Sequence, residues 1–501
     1  MSDPQIESEA IQTPLPPAQL SDLWKLEDWW AVWLGGILLV LGCFLAWEAR
    51  PADFAEQVSI VRDSSLDSSK REEKRSALTK ALSRPLLRWE AKLKSWTSNP
   101  KQSLVGIDPK TKSAYALWSP LGMVFLTLLV LFGFATWVMG ERYIFFAPAF
   151  GALFLLAIAA QVLATQTVIK NYGLEYPLWG LLIGLCVTHT VGTPRFLLPA
   201  VRTEFYIKTG LVLLGAEVLL NQLLELGLPG IFISWIVTPI VLVGTYLFGQ
   251  YVLKIESRTL NMVVAADMSV CGVSAAIATA AACRAKKEEL SLAIGISLAF
   301  TVVMMIAMPK LIQATGIDPI VGAAWIGGTI DATGAVAAAG NMLGESALKM
   351  ATTVKMIQNI LIGVIAFGVS VYWVAFVDRT PNSPRVSPWE IWYRLPKFIL
   401  GFVAASILFS WLHGSVPGGD ILAESVTRGF TKYLREWMFC IAFVSIGLDT
   451  NFPELMKSLK GGKAVTLYII GQAFSLVLSL GMCWLMLKVV FPDVIQKLNG
   501  G

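Results

Sequence analysis

Thirteen apolar runs, each long enough to cross a bilayer, leave this chain one class of architecture. They fall at roughly 29–48, 118–140, 143–168, 174–192, 205–223, 227–253, 258–284, 288–313, 319–341, 348–377, 393–413, 434–452 and 464–490. In lipid every backbone N–H and C=O must find a partner within the protein, so runs of this length fold as helices. The expectation is an all-α polytopic membrane protein. Composition agrees: 55% of the 501 residues are hydrophobic and 15% are charged, against about 25% charged in soluble domains.

The net charge of +5 is concentrated in loops. That is the pattern of basic loops retained on the inner side of a membrane, and nucleic acid is not implied. Six cysteines lie in or near apolar runs without metal-ligand spacing, and there are two histidines. Neither a disulfide framework nor a zinc centre is expected. The first apolar run, Trp30 to Trp47, follows an acidic start and precedes no small-residue cleavage pattern. It reads as a retained span.

The chain divides into a polar, acidic start expected to be disordered (1–28), an N-terminal span (29–48), a basic loop (50–115), an additional span (118–142), a core (143–490) and a tail (491–501). The loop holds fourteen Lys/Arg against eight Asp/Glu. Leu78, Leu82, Leu86, Trp89, Leu93 and Trp96 recur at helical spacing, with Lys80, Arg84, Arg88, Lys92 and Lys94 between them. This predicts either an amphipathic helix on the cytoplasmic leaflet or a small hairpin packed on itself, with Pro85 starting or kinking the helix. Its basic excess places the loop in the cytoplasm and the N-terminus outside. The Arg284–Glu289 loop then falls inside, as the rule requires. The 379–397 loop, with Arg379, Arg385, Arg394 and Lys397, falls outside, against it.

Splitting the last ten spans five and five makes 258–284 and 434–452 the fourth of each half. Both carry serine, glycine and an acid: Asp267/Ser269/Gly272 and Ser445/Gly447/Asp449. Five spans per unit make the halves an inverted repeat, and broken helices at matching positions mark carriers.

Two stretches carry the chemistry. A carboxylate at membrane depth costs roughly 2.5–3.5 kcal/mol on insertion scales and should face a cavity or a partner. Asp267 and Asp331 stand at such depth among small residues. Together they would bind sodium or carry a proton; Asp267 as an interfacial residue is the bland alternative. Ser269, Cys271, Gly272 and Ser274 would expose backbone N–H groups at a half-helix N-terminus, which attracts an anion, or serve as close-packing residues. Thr329, Asp331 and Thr333 set three oxygens beside Gly327, Gly328 and Gly334, where a helix break is expected. Lys355 either neutralises a carboxylate, binds an anion, or snorkels to the interface. Gln358 and Asn359 either bind or join helices. Asp449 with Thr450 and Asn451 either binds or ends a helix. His189 reads as structural, and Glu217 is left without an assigned partner.

At these residues the chain resembles the sulfate-exporter family of bacterial inner-membrane proteins, over about 143 to 490. The likeness rests on Gly210-Leu-Val-Leu-Leu-Gly215, Ser269-Val-Cys-Gly272 with Ala275-Ala276, and Gly327-Gly-Thr329 continuing to Val336-Ala-Ala-Ala-Gly340. Val354-Lys355-Met356 and Ser445-Ile-Gly447-Leu448 add to it. It implies an eleven-span core similar to bile-acid symporters and sodium/proton antiporters, with two broken helices crossing at mid-membrane. The chain departs from that family at Asp331-Ala332, where members carry His-Glu, and at Gln358, where they carry Arg. Losing the Arg removes an obvious anion ligand.

No Gly-x-x-x-x-Gly-Lys-[Ser/Thr] loop and no Ser-His or His-Glu-x-x-His arrangement occurs, so neither ATP hydrolysis nor intramembrane proteolysis is expected. An enzyme, a catalytic residue and an organic cofactor are not expected. The leading expectation is a secondary transporter of a small anion, sulfate or another sulfur compound, using alternating access with sodium or proton coupling. A non-transporting ion-binding or sensing protein and a channel are the alternatives. The expected partners are the lipid bilayer and the anion; fold analogy alone suggests a homodimer.

Overall fold

The computed structural model describes residues 21–62, 68–107, 114–171, 176–218, 227–377, 392, 395–450 and 462–495. Among the described residues the regular structure is helical apart from one short antiparallel strand pair, Val105–Ile107 with Ala114–Ala116. Residues 1–20 of the acidic start, Asn451, most of the 379–397 loop and 496–501 of the tail lie outside the described residues.

Eight helices among the described residues are long and apolar enough to cross a membrane. The other five of the thirteen runs differ for physical reasons. Tyr176–Thr190 and Thr203–Glu217 are short, at 15 residues each. Lys432–Asp449 carries several charges. The runs 258–284 and 319–341 are each broken in the middle.

The chain forms two compact units, which divide the expected 143–490 core between them. One contains Leu224–Pro396 and Thr450–Gly501. Its unbroken helices are Gly227–Val252, Glu288–Thr315, Glu345–Val377 and Lys463–Val490. The two broken spans are Arg258–Ser269 followed by Gly272–Cys283, and Pro319–Thr329 followed by Thr333–Asn341. Their starts are fixed locally. Ser257 caps the first by accepting from the Leu260 N–H at 3.1 Å, and Asp318 caps the second by accepting from Ile320 at 2.9 Å, with Pro319 at the first helical position. At the first break Val270 and Cys271 leave helical geometry, and Gly272 takes a positive φ of 35°, which a side chain would oppose. At the second, Ile330 and Ala332 are extended.

Pairing 258–284 with 434–452 as matching broken spans is corrected here. Lys432–Asp449 runs unbroken, and the second break lies in 319–341. Ser and Gly near an acid were too weak a signal to locate a break. The pair of glycines ahead of Asp331 was the better one.

The other unit contains Leu20–Leu223 and Lys397–Asp449. Within it Lys432–Asp449 lies against Tyr176–Thr190 at a glycine-to-glycine crossing. A Cβ on Gly184 would fall 2.3 Å from the Val444 carbonyl oxygen and 2.7 Å from Gly447 Cα. Small residues four apart, here Gly180 and Gly184, let helix backbones touch in this way. Gly184→Leu should therefore force the helices apart and destabilise the protein by about 1–3 kcal/mol. Thermal unfolding in detergent reads this, and an unchanged midpoint would count against the contact.

The basic loop belongs to this unit: Phe54–Arg62 lies against Ser68–Ser83, and the apolar stripe packs on the rest of the unit. Ser68–Ser83 is helical, Arg84–Trp89 tightens into a 3-10 turn, and residues 90–95 have no regular secondary structure. Leu78, Leu82, Leu86 and Trp89 are buried because the protein, not lipid, covers them. Trp89 packs edge-on against Phe430 and donates to Thr127 at 2.8 Å. Ala91 O accepts from the Trp437 indole at 3.1 Å, and Trp96 pairs with Thr165 and Thr167. An apolar stripe at helical spacing specifies burial but not what does the burying.

Candidate functional site

Two carboxylates meet where the two broken spans touch. Asp267 stands in the last turn of Arg258–Ser269, and Asp331 lies in the gap between Pro319–Thr329 and Thr333–Asn341. Their exposures are 0% and 1%. Gly272 fits between them: a Cβ there would lie 3.4 Å from Asp331 Cβ, 3.6 Å from Asp267 Oδ1 and 3.1 Å from Ser297 Oγ. Cys271 and Thr333, one from each break, stand 3.6 Å apart.

The two acids have opposite surroundings. Asp331 accepts from Ser297 Oγ at 3.2 Å and from the Tyr468 hydroxyl. The Tyr468 ring is itself held by stacking on Phe300. No donor stands within hydrogen-bond distance of either Asp267 carboxylate oxygen, although Ser297, which is bonded to Asp331, lies close enough to act on it as well. A fully buried carboxylate with no donor is stable only if it is neutral or if a cation sits beside it.

Breaking a helix also strands carbonyl oxygens, which in a membrane must be satisfied by side chains. Lys355 Nζ donates to Val270 O and to Gln358 Oε1, the latter at 2.7 Å. Gln358 Nε2 lies 3.1 Å from Ser269 O, Gly328 O and Thr238 Oγ1. Gln472 Nε2 donates to Thr329 O at 2.9 Å. Lys355 is 1% exposed and does not snorkel; it forms no ion pair with either aspartate.

Gln358→Leu would remove the donor shared by these groups. The expected cost is about 1–3 kcal/mol for each carbonyl left unpaired. Hydrogen exchange at the two breaks and the thermal midpoint both report it; wild-type values in both would show the donor to be dispensable.

Of the residues singled out from sequence, Asp267, Cys271, Gly272, Thr329, Asp331, Thr333, Lys355 and Gln358 come together in this unit. Ser269 is buried but turns its hydroxyl back to Ala266 O at 3.2 Å. Thr329 likewise bonds Trp325 O at 2.6 Å. Ser274 is exposed, outside the cluster. Ser445, Gly447 and Asp449 belong to the other unit, with local roles. Ser445 bonds Ile441 O at 2.9 Å, Gly447 makes the helix crossing, and Leu448 O before Asp449 is capped by Thr188 and Thr193 at 3.0 and 2.6 Å.

Ser297, Tyr468 and Gln472 were missed from sequence. Each is a single polar residue in an otherwise ordinary apolar span, and the signal available was its depth in that span. The Asp267/Asp331 sodium expectation meets two acids only: among the described residues no group of three or more His, Cys, Asp or Glu is placed to hold a metal.

A family model described as "Conserved hypothetical protein 698" matches residues 148–467, spanning both breaks. A UPF0324 membrane protein of Rhodopirellula baltica is 51% identical over 98% of this chain and 95% of its own length. One from Nitratidesulfovibrio vulgaris is 42% identical over 96% and 98%, and one from Nitrosomonas europaea 28% identical over 95% and 99%. No solved structure matches.

Proposed function

The chain belongs to the family described as conserved hypothetical protein 698, and on that premise we propose that this multi-pass membrane protein is a secondary carrier. It moves a small anion, sulfate or another sulfur compound, coupled to sodium or protons at Asp267 and Asp331. One observation carries the reading: Asp267 is fully buried, without a hydrogen-bond donor, beside a second carboxylate at the meeting of two broken helices. Such a group is costly to a structural protein and useful to one that loads and unloads a charge. The half-helix N-termini at Gly272 and Thr333 support the anion, since their dipoles favour negative charge. In this reading the protein sits in the bacterial cytoplasmic membrane with its N-terminus outside, because the basic excess lies in 50–115.

The second reading, an ion-binding protein that transports nothing, draws on the side-chain caps of Lys355, Gln358 and Gln472, which make a well-satisfied structure. Labelled sulfate offered to proteoliposomes, with sodium and pH gradients imposed separately, separates the two. Saturable uptake that follows one gradient supports the carrier. Folded protein that takes up no sulfate under either gradient removes sulfate as the substrate.

A further inference from the structure

We propose that the ε-ammonium of Lys355 is the resident cation of this site, tethered in the place where a carrier with broken helices would otherwise hold a metal ion. The proposal rests on the carboxylate cluster being the carrier's ion site. In such carriers unwound carbonyls and the negative ends of half-helices coordinate the coupling cation. Here those carbonyls are taken. Val270 O receives Lys355 Nζ, Ser269 O and Gly328 O face the Gln358 amide, and Thr329 O receives Gln472.

Lys355 reaches this point from the helix Glu345–Tyr372 and is anchored a second time on Gln358 Oε1 at 2.7 Å. Its ammonium thus caps the C-terminal end of Arg258–Ser269, where a positive charge is favoured. It also attracts Asp331 across the gap. Among the described residues, the other ionisable groups that these contacts bring to the cluster are Asp267, Cys271 and Tyr468, and the lysine supplies its positive charge. Buried acceptors without a partner remain at Asp267, Asn359 Oδ1 and Gln472 Oε1. A sodium ion would have to bind through these side chains without the helix-end carbonyls.

The test is thermal unfolding of the full chain in detergent, in sodium, potassium and choline chloride at equal ionic strength. The wild-type midpoint should be the same in all three. Lys355→Ala, which leaves a vacated space, should melt several degrees lower in choline and recover with sodium or potassium, as a ligand that binds only the folded state requires. Lys355→Met, which fills the space with an apolar chain, should melt lower and not recover. A wild-type midpoint raised by sodium over choline overturns the proposal. So does a folded Lys355→Ala that no monovalent cation stabilises. If Lys355→Ala does not fold, equilibrium binding of radioactive sodium to the wild type decides: saturable binding overturns the proposal and its absence upholds it. None of these readouts uses flux. A protein that transports nothing sinks the carrier reading alone, and sodium binding by the wild type sinks this one alone.

Discussion

Asp267→Asn should abolish labelled-anion uptake in proteoliposomes while leaving the thermal midpoint equal to or above the wild-type value. The side chain is fully buried and accepts no hydrogen bond. Replacing its carboxyl with a neutral amide of the same shape therefore removes no interaction that holds the fold. What it removes is the ability to change charge, on which the carrier reading depends. Asp331→Asn should behave differently. Asp331 accepts from both Ser297 and Tyr468 on the same oxygen, Oδ2, and a neutral amide oxygen keeps those bonds only in their weaker, uncharged form. It should lose uptake and also lose about 1–3 kcal/mol of stability. Paired flux and unfolding measurements on the two variants test the distinction. Wild-type uptake by a folded Asp267→Asn would end its candidacy as the ion-carrying group. Equal stability losses in both variants would mean that Asp267 has a partner.

Removing one side of the Arg435–Glu217 pair should give the largest loss of stability, about 3–5 kcal/mol, because it leaves a buried charge without its bidentate ion-pair partner. Arg435 is 0% exposed and Glu217 8% by side chain. The guanidinium meets the carboxylate through two nitrogens, at 3.0 and 2.9 Å, and also lies near the Phe439 ring. Glu217→Ala and Arg435→Ala should each lower expression and thermal midpoint strongly. The double change Glu217→Leu with Arg435→Met should recover much of the loss, since an apolar pair of similar volume avoids the desolvation of both charges. A double variant no more stable than the singles would show that the pair is needed as a pair.

This pair also shows where sequence reading stops. Glu217 was left without a partner because its own helix offered only Lys208, more than two turns away. Lys208 instead reaches Asp28 at 2.8 Å and Glu204 at 3.6 Å, and the partner of Glu217 comes from a helix 218 positions on. Local spacing identifies neighbours along one helix. It carries no information about which helix will lie alongside.

The same limit separates the two halves of the site. Both aspartates, their flanking glycines and the polar residues about three turns into Glu345–Tyr372 were legible, because charge and small residues at membrane depth are costly and therefore conspicuous. Their division of labour was not. Asp331 differs from Asp267 through bonds from Ser297 and Tyr468, which arrive from separate helices, and through nearby Lys355, which turned out to cap a stranded carbonyl. The basic loop follows the same logic: its apolar stripe announced a buried face, and only the assembled unit supplied Phe430 and Trp437 to cover it.

What the sequence by itself determined is the all-helical membrane architecture and the breaks beside Asp267 and Asp331, though not which spans match. Lipid forbids unpaired backbone, and paired glycines directly ahead of Asp331 favour a break there, whereas Gly447 beside Asp449 makes none. What only the tertiary structure decided is which donors satisfy the broken backbone, and that Asp267 receives none. Hydrogen bonds between helices depend on distances across space that no one-dimensional pattern encodes.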